Sequence, residues 1–207
     1  SGYHAVEPEI FNHYGTPDYY KFVKKAQSIF FTAIYIGALL LALFSQEVFI
    51  IMTSESFHEG YHLVPILIIG VVMSGQNVIY GGVLSSEKRT KVQGSVSIIG
   101  AALSFLFNLL LIPLWGTIAA ALSRMISYVF MNTALFKKMT FPGKTIYKET
   151  IAVVLILVIP HMMFWLFPAV SLWGIIAKLF IALIYTVFVL KLFGISLVEM
   201  KRLLIKK

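Results

Sequence analysis

The sequence predicts an all-α fold, a polytopic bundle of transmembrane helices with six spans. Three observations predict it. The 207-residue chain is 59% hydrophobic and only 13% charged, where a soluble domain carries roughly a quarter charged residues. Its mean hydropathy is +0.88. Its apolar residues fall into runs long enough to cross ~30 Å of hydrocarbon, which takes roughly 20 helical residues. Runs of that length exclude a closed barrel, whose strands are ~10 residues of alternating polarity.

The spans are placed at about 26–45, 62–84, 92–112, 116–136, 150–168 and 172–193. Residues 1–25 precede them as a cytoplasmic segment. Residues 194–207 follow as a tail whose ISLVEMKRLLIKK can form a basic amphipathic helix on the anionic inner leaflet. The first 20 residues lack a basic stretch ahead of an apolar core, so they are not a signal peptide. A start at Ser-Gly without Met is expected of a fragment.

Charge sets the orientation. Of the 17 Lys and Arg, all but Arg124 and Lys178 fall on one side of the alternating spans, at positions 21–25, 88–91, 137–148 and 191–207. The opposite loops, 46–61, 113–115 and 169–171, hold no Lys or Arg, only Glu47, Glu55 and Glu59. Both ends of the chain are therefore expected in the cytoplasm. This alternation, rather than nucleic-acid binding, accounts for the net charge of +8. With no cysteine, the chain offers no disulfide framework or thiol nucleophile. No metal-ligand motif, nucleophile–base pair, phosphate loop or dinucleotide signature occurs, so a catalytic, metal or cofactor site is not expected.

The candidate binding residues are polar groups inside spans. Arg124 lies about 12 Å below the outer surface, counting ~1.5 Å per residue from Gly116. Exposure to lipid there costs from ~2.5 to more than 10 kcal/mol. It either braces a neighbouring helix or lines a cavity for an anion. Lys178 either serves a ligand or snorkels past Trp173 to the outer interface. Neither cation has an expected acidic partner within the chain. In the third span Gly94, Ser97, Ala101, Ser104 and Asn108 form one small, polar stripe, suited to close packing or to a cavity wall. Gln76 and Asn77, with Ser74 and Tyr80 nearby, need partners away from lipid, as packing glue or cavity lining. His161 follows Pro160, which is expected to kink the fifth helix; a structural role suits it better than proton relay.

The segment PLWGTIAAALSRMISY, from Pro113 through Gly116, Ala119, Ala120 and Ala121 to Ser127 and Tyr128, resembles the Pro-Gly-Ala-Ala signature of bacterial polysaccharide flippases. These O-antigen-type exporters belong to the multidrug/oligosaccharidyl-lipid/polysaccharide superfamily. Asn108 and the run EVFIIMTSESFHEGYHLVPIL from Glu47 are also similar to that family. Two positions depart from it: Ala119 stands where Gly is common, and Arg124 where a small or hydroxylated residue is usual. In the motif, Pro113 and Gly116 close a tight outer hairpin, and Ala120 and Ala121 let the third and fourth helices touch.

The resemblance implies a C-terminal six-helix lobe, partnered by a missing N-terminal lobe of the same protein. It implies transport of a polyprenyl diphosphate oligosaccharide across the bacterial inner membrane for surface polysaccharide (O-antigen, lipopolysaccharide) synthesis, by alternating access and without a chemical step. The candidate substrate contacts are Arg124, Lys178, Asn108, Gln76 and Asn77. Three alternatives stand beside it. A cation-coupled multidrug exporter would favour intramembrane carboxylates. A membrane glycan polymerase or transferase would need catalytic groups in the outer loops. A non-transporting assembly subunit would leave the interior polar residues unexplained.

Overall fold

The computed structural model describes residues 10–139, 146–168 and 170–195. Every regular element among them is helical: α1 (Tyr19–Leu43), α2 (Ser45–Met52), a 3-10 helix (Glu55–Leu63), α3 (Val64–Ser86), α4 (Thr90–Lys138), α5 (Ile146–Leu166) and α6 (Leu172–Phe193). Five stretches are long and apolar enough to cross a membrane: α1, the 3-10 helix running into α3, α4, most of α5, and α6. The fold class is all-α, and the chain is a multi-pass membrane protein. Residues 1–9, 140–145, 169 and the basic stretch from 196 onward lie outside the described residues. The chain divides into two compact units, Ser1–Gln27 with Gly70–Lys144 and Ser28–Ile69 with Thr145–Lys207.

The first unit is organised by α4. As a straight rod its 49 residues would rise about 74 Å, more than twice the hydrocarbon thickness. It is not straight. Gly116 has φ 56° and ψ −131°, the conformation of the first central residue of a type II′ turn, which glycine adopts without a Cβ penalty. The two arms then run back past each other. A Cβ on Gly100 would stand 2.3 Å from Met131 Sδ, and Arg89 Nη1 donates to the Lys138 carbonyl. On a straight rod, residues 100 and 131 would be roughly 46 Å apart.

The hairpin of the sequence reading therefore forms, with two differences. Pro113 belongs to the first helical arm and not to a loop at 113–115. Its missing N–H removes a single helical bond near the arm's end, and Gly116 alone supplies the reversal. The close approach is made by Gly100, not by the small, polar stripe. Gly94, Ser97 and Ala101 are exposed, and Ser104 and Asn108 half-buried. Gly100 precedes Ala101 by one residue, about 100° around the helix, so the stripe turns away from the second arm. That arm packs through Ala119, Ala121, Ser123, Ser127 and Leu135, with Ala120 half-buried.

At the other end of this unit, α1 begins earlier than the span reading placed it. Lys21, Lys24 and Lys25 therefore ride on its first turns. The Tyr19 hydroxyl pairs with Ser86 Oγ at 2.6 Å, where α3 ends. Lys88 adopts φ 58° in the turn into α4.

In the second unit the predicted outer loop 46–61 is itself helical. Phe44 leaves helical geometry at φ −93° and ψ 8°. Ser45 Oγ then donates to the Ala42 carbonyl (2.9 Å) and the Tyr61 carbonyl (3.4 Å). The apolar residues that follow continue as α2, which the 3-10 helix meets closely: a Cβ on Gly60 would lie 2.6 Å from the Phe49 ring. In α6 the residues Gly174, Lys178, Ala182, Tyr185 and Val189 are buried. Their spacing of three and four makes one packed stripe. Trp173, Ile176, Phe180 and Leu183 are exposed on the remaining surface, as lipid contact requires. The Tyr185 hydroxyl donates to the Ala152 carbonyl (3.1 Å) and ties α6 to α5. Ser171 caps α6 by accepting from the Gly174 amide (3.0 Å). Gly194, at φ 68°, ends it in the left-handed conformation.

The α4 hairpin has a direct test, because the chain has no native cysteine. The pair Gly100→Cys and Met131→Cys should cross-link intramolecularly under mild oxidation. Each single variant should stay monomeric and unlinked on non-reducing gels. Gly116→Ala should lower stability by about 1–3 kcal/mol, read as a drop in Tm, although no neighbour would touch the added methyl.

Candidate functional site

The two interior cations are satisfied in opposite ways. Lys178 lies on the packed stripe of α6 and is 1% exposed. Its Nζ donates to Glu47 Oε1 at 2.7 Å and to Gln46 Oε1 at 3.3 Å. It also stands 5.7 Å from the centre of the Phe164 ring, a cation–π contact. Gln46 completes the arrangement by donating from Nε2 to the Pro168 carbonyl at 2.8 Å. The expectation that Lys178 has no acidic partner within the chain is thus corrected. Because the chain re-enters a helix at Ser45, Gln46 and Glu47 are carried to α6 instead of standing in an outer loop. The snorkelling geometry does not occur either, since the side chain points into the unit and not along the lipid face.

Arg124 is exposed. Its stem lies against Gly70 of α3: a Cβ there would meet Arg124 Cγ at 3.5 Å, Cδ at 3.7 Å and Nε at 3.8 Å. The guanidinium carbon is 5.7 Å from the centre of the Tyr128 ring, one turn further along the same arm. Among the described residues Arg124 has no carboxylate partner and no hydrogen bond. Bracing of a neighbouring helix through carbonyl groups is therefore not what this side chain does there. Its stem rests on the protein while its charged end stays available.

The amides of α3 separate into two roles. Gln76 is 2% exposed. Its Oε1 accepts from Asn132 Nδ2, which also approaches Met73 Sδ at 2.9 Å. Gln76 thus joins α3 to the second arm of α4. Asn77, the next residue, has both side-chain polar atoms shielded from solvent without a hydrogen-bond partner among the described residues, and Asn108 Oδ1 is in the same state. An unpaired buried amide is costly, so these two groups carry unused bonding capacity. His161 Nδ1 contacts the Leu157 carbonyl at 2.8 Å, one turn back on α5.

The structure brings together Arg124 with Gly70 and Tyr128, Gln76 with Asn132, and Lys178 with Gln46 and Glu47. Asn132 and Glu47 are the residues that sequence reasoning missed. For Asn132 the signal was present, an amide within an apolar run. For Glu47 it was not, because its partner lies far along the chain. No metal-binding cluster of His, Asp or Glu occurs among the described residues. No protein family, curated protein or solved structure matches this chain.

The ion pair makes a stability prediction with a built-in contrast. Lys178→Met leaves the Glu47 carboxylate partly buried and uncompensated, which should cost roughly 3–5 kcal/mol. The double variant Glu47→Gln/Lys178→Met removes both charges and should recover most of that loss. Thermal unfolding in detergent reads both; a double variant no more stable than the single one would contradict the pairing.

Proposed function

We propose that this chain is one lobe of a membrane transporter that moves a lipid-linked, anionic oligosaccharide across the bacterial inner membrane. One observation carries the proposal: Arg124, a guanidinium deep within a membrane-crossing helix, is exposed and has no anionic partner among the described residues. A charge so placed is expensive unless an anion or a wet cavity meets it. A diphosphate is the anion best suited to it. The planar fork of Arg donates two parallel charge-assisted bonds to phosphate oxygens, which Lys cannot reproduce. A polyprenyl tail would stay in the lipid while the glycan passes through a polar cavity.

The motif around Pro113, Gly116, Ala120 and Ala121 supports the same proposal, through its resemblance to polysaccharide flippases. Asn77, Asn108 and the exposed stripe of α4 are the proposed polar wall for the glycan, because the Asn77 amide and Asn108 Oδ1 have no hydrogen-bond partner among the described residues. Gln76 supports that wall through Asn132. A second lobe of the same protein would supply the opposite wall, and rocking of the two lobes would give alternating access. Six crossings, counting each arm of α4 once, put both chain ends in the cytoplasm by the positive-inside pattern.

The rival reading as a cation-coupled drug exporter needs a carboxylate free to meet a cationic drug, and that of Glu47 faces Lys178. The other rivals, a glycan polymerase and an assembly subunit, have no observation in their favour.

Transport of a labelled polyprenyl diphosphate glycan by the full-length protein in proteoliposomes tests the proposal. Arg124→Gln should lower the rate by about 10–100-fold, the worth of a lost hydrogen bond between charged groups (~1.5–3 kcal/mol). Arg124→Lys should keep an intermediate rate, and both should melt with the wild type. Wild-type transport by a stable Arg124→Gln variant would remove this residue from the mechanism. Orientation is checked separately. A cysteine at Ser54 should react with an impermeant reagent in intact spheroplasts, and one at Lys88 only after lysis.

A further inference from the structure

The Glu47–Lys178 pair has a property that a purely structural ion pair does not need. Lys178 is fully enclosed, at 2% side-chain exposure, but Glu47 keeps 13%. Only Oε1 of Glu47 is engaged by the ammonium. Oε2 is shielded and has no hydrogen-bond partner among the described residues. The ammonium thus leaves one carboxylate oxygen unmatched, on the member of the pair whose side chain retains some exposure. We propose that Glu47 is a proton-binding site, and that its protonation releases Lys178 and opens the end of the second unit where α2, the Pro168 carbonyl and α6 meet. This inference rests on the membrane reading of the chain and not on the identity of the transported molecule.

The mechanism follows from what Lys178 holds together. Its ammonium joins α6 to α2 through Glu47 and Gln46. The same Gln46 side chain joins α2 to the α5–α6 connection through the Pro168 carbonyl. A proton arriving at Oε2 makes Glu47 a neutral acid, and the charge that offset the buried ammonium is gone. Gln46 and the Phe164 ring remain, but a neutral amide and a ring face do not match a full positive charge out of water. The ammonium regains its balance by admitting water, so α2 and α6 part. Acid thus favours the open form. One proton taken up on opening changes the opening equilibrium at most tenfold per pH unit.

Other titratable groups reach the same cluster and must be separated from Glu47. From the 3-10 helix, Tyr61 and His62 lie 4.8 Å and 5.8 Å from the Phe164 ring centre. From α5, His161 lies 6.2 Å from it. From α6 the charged group is Lys178 itself. The histidines are separable by substitution, since among the described residues neither bonds Glu47 or Lys178.

Two measurements on the full chain in detergent test the proposal. Acidification should produce a protonated-carboxyl C=O band in the infrared difference spectrum that Glu47→Gln lacks. A cysteine at Ser45, which is 3% exposed and adjacent to Gln46, should label faster as pH falls. Each rate is divided by that of the unfolded chain at the same pH, to remove the thiol's own titration. The normalised rate should rise by up to about tenfold per pH unit. Glu47→Gln should label quickly at every pH. Should it fail to fold, the charge-free Glu47→Gln/Lys178→Met variant should label independently of pH and lack the band. The variants His62→Gln and His161→Gln should keep the wild-type pH response. The proposal is overturned by a pH-independent wild-type rate, by a band that survives Glu47→Gln, or by a response that disappears with either histidine.

Discussion

A full charge inside hydrocarbon has to be met by another charge, by a dense set of dipoles or by water. The two interior cations of the described residues, Lys178 and Arg124, answer to that constraint in different ways, the first within the chain and the second only through the ligand proposed for it. Lys178 is met from within. The break at Phe44 and the restart at Ser45 exist on the same short stretch that supplies Gln46 and Glu47, so the interruption of α1 and the neutralisation of α6 are one structural event. Replacing a single member leaves the other charge stranded, which is why a buried ion pair is fragile to single substitutions while adding little net stability. Its value lies in specifying which faces meet.

Arg124 obeys the same constraint differently. Gly70 leaves space for its aliphatic stem and Tyr128 offers a ring face, yet neither supplies negative charge. Around it on the same arm the apolar residues Ile118, Ile126, Val129 and Phe130 are exposed as well. A helix that exposes both its apolar residues and a guanidinium faces two environments, lipid along one side and something polar along another. The α4 hairpin makes this possible. With the reversal made by one glycine, the second arm packs through Ala119, Ala121, Ser123 and Ser127 while Arg124, one position further round, stays outside that contact.

Long-range composition was legible in the sequence, whereas long-range pairing was not. Run length and hydropathy identify the helices because each span must satisfy its own backbone in lipid, a local requirement. The turn between the third and fourth spans was legible for the same reason, since only a glycine adopts the conformation found at Gly116 without strain. The partner of Lys178 was hidden. Glu47 sits just past the placed end of the first span, ahead of the apolar run VFIIM, and nothing local announces that this stretch continues as a helix towards α6. The stripe from Gly94 to Asn108 was seen correctly as a stripe, but periodicity does not say what a stripe faces. Gly100, outside it, makes the contact with Met131. Gln76 was legible as a polar group needing a partner, and Asn132 was available as that partner, yet two amides on separate helices carry no sequence mark of their pairing.

The account depends most on the claim that Arg124, and not net positive charge in general, receives the anionic ligand. Equilibrium binding of a labelled polyprenyl diphosphate glycan to the full-length protein in lipid nanodiscs tests it directly. Arg124→Gln would be compared with Lys88→Gln, which removes the same unit of charge from an exposed turn. The account predicts binding weakened by at least tenfold in Arg124→Gln, as expected for one charge-assisted contact, and unchanged in Lys88→Gln. Equal affinity in the wild type and Arg124→Gln, or equal weakening in both variants, would contradict it.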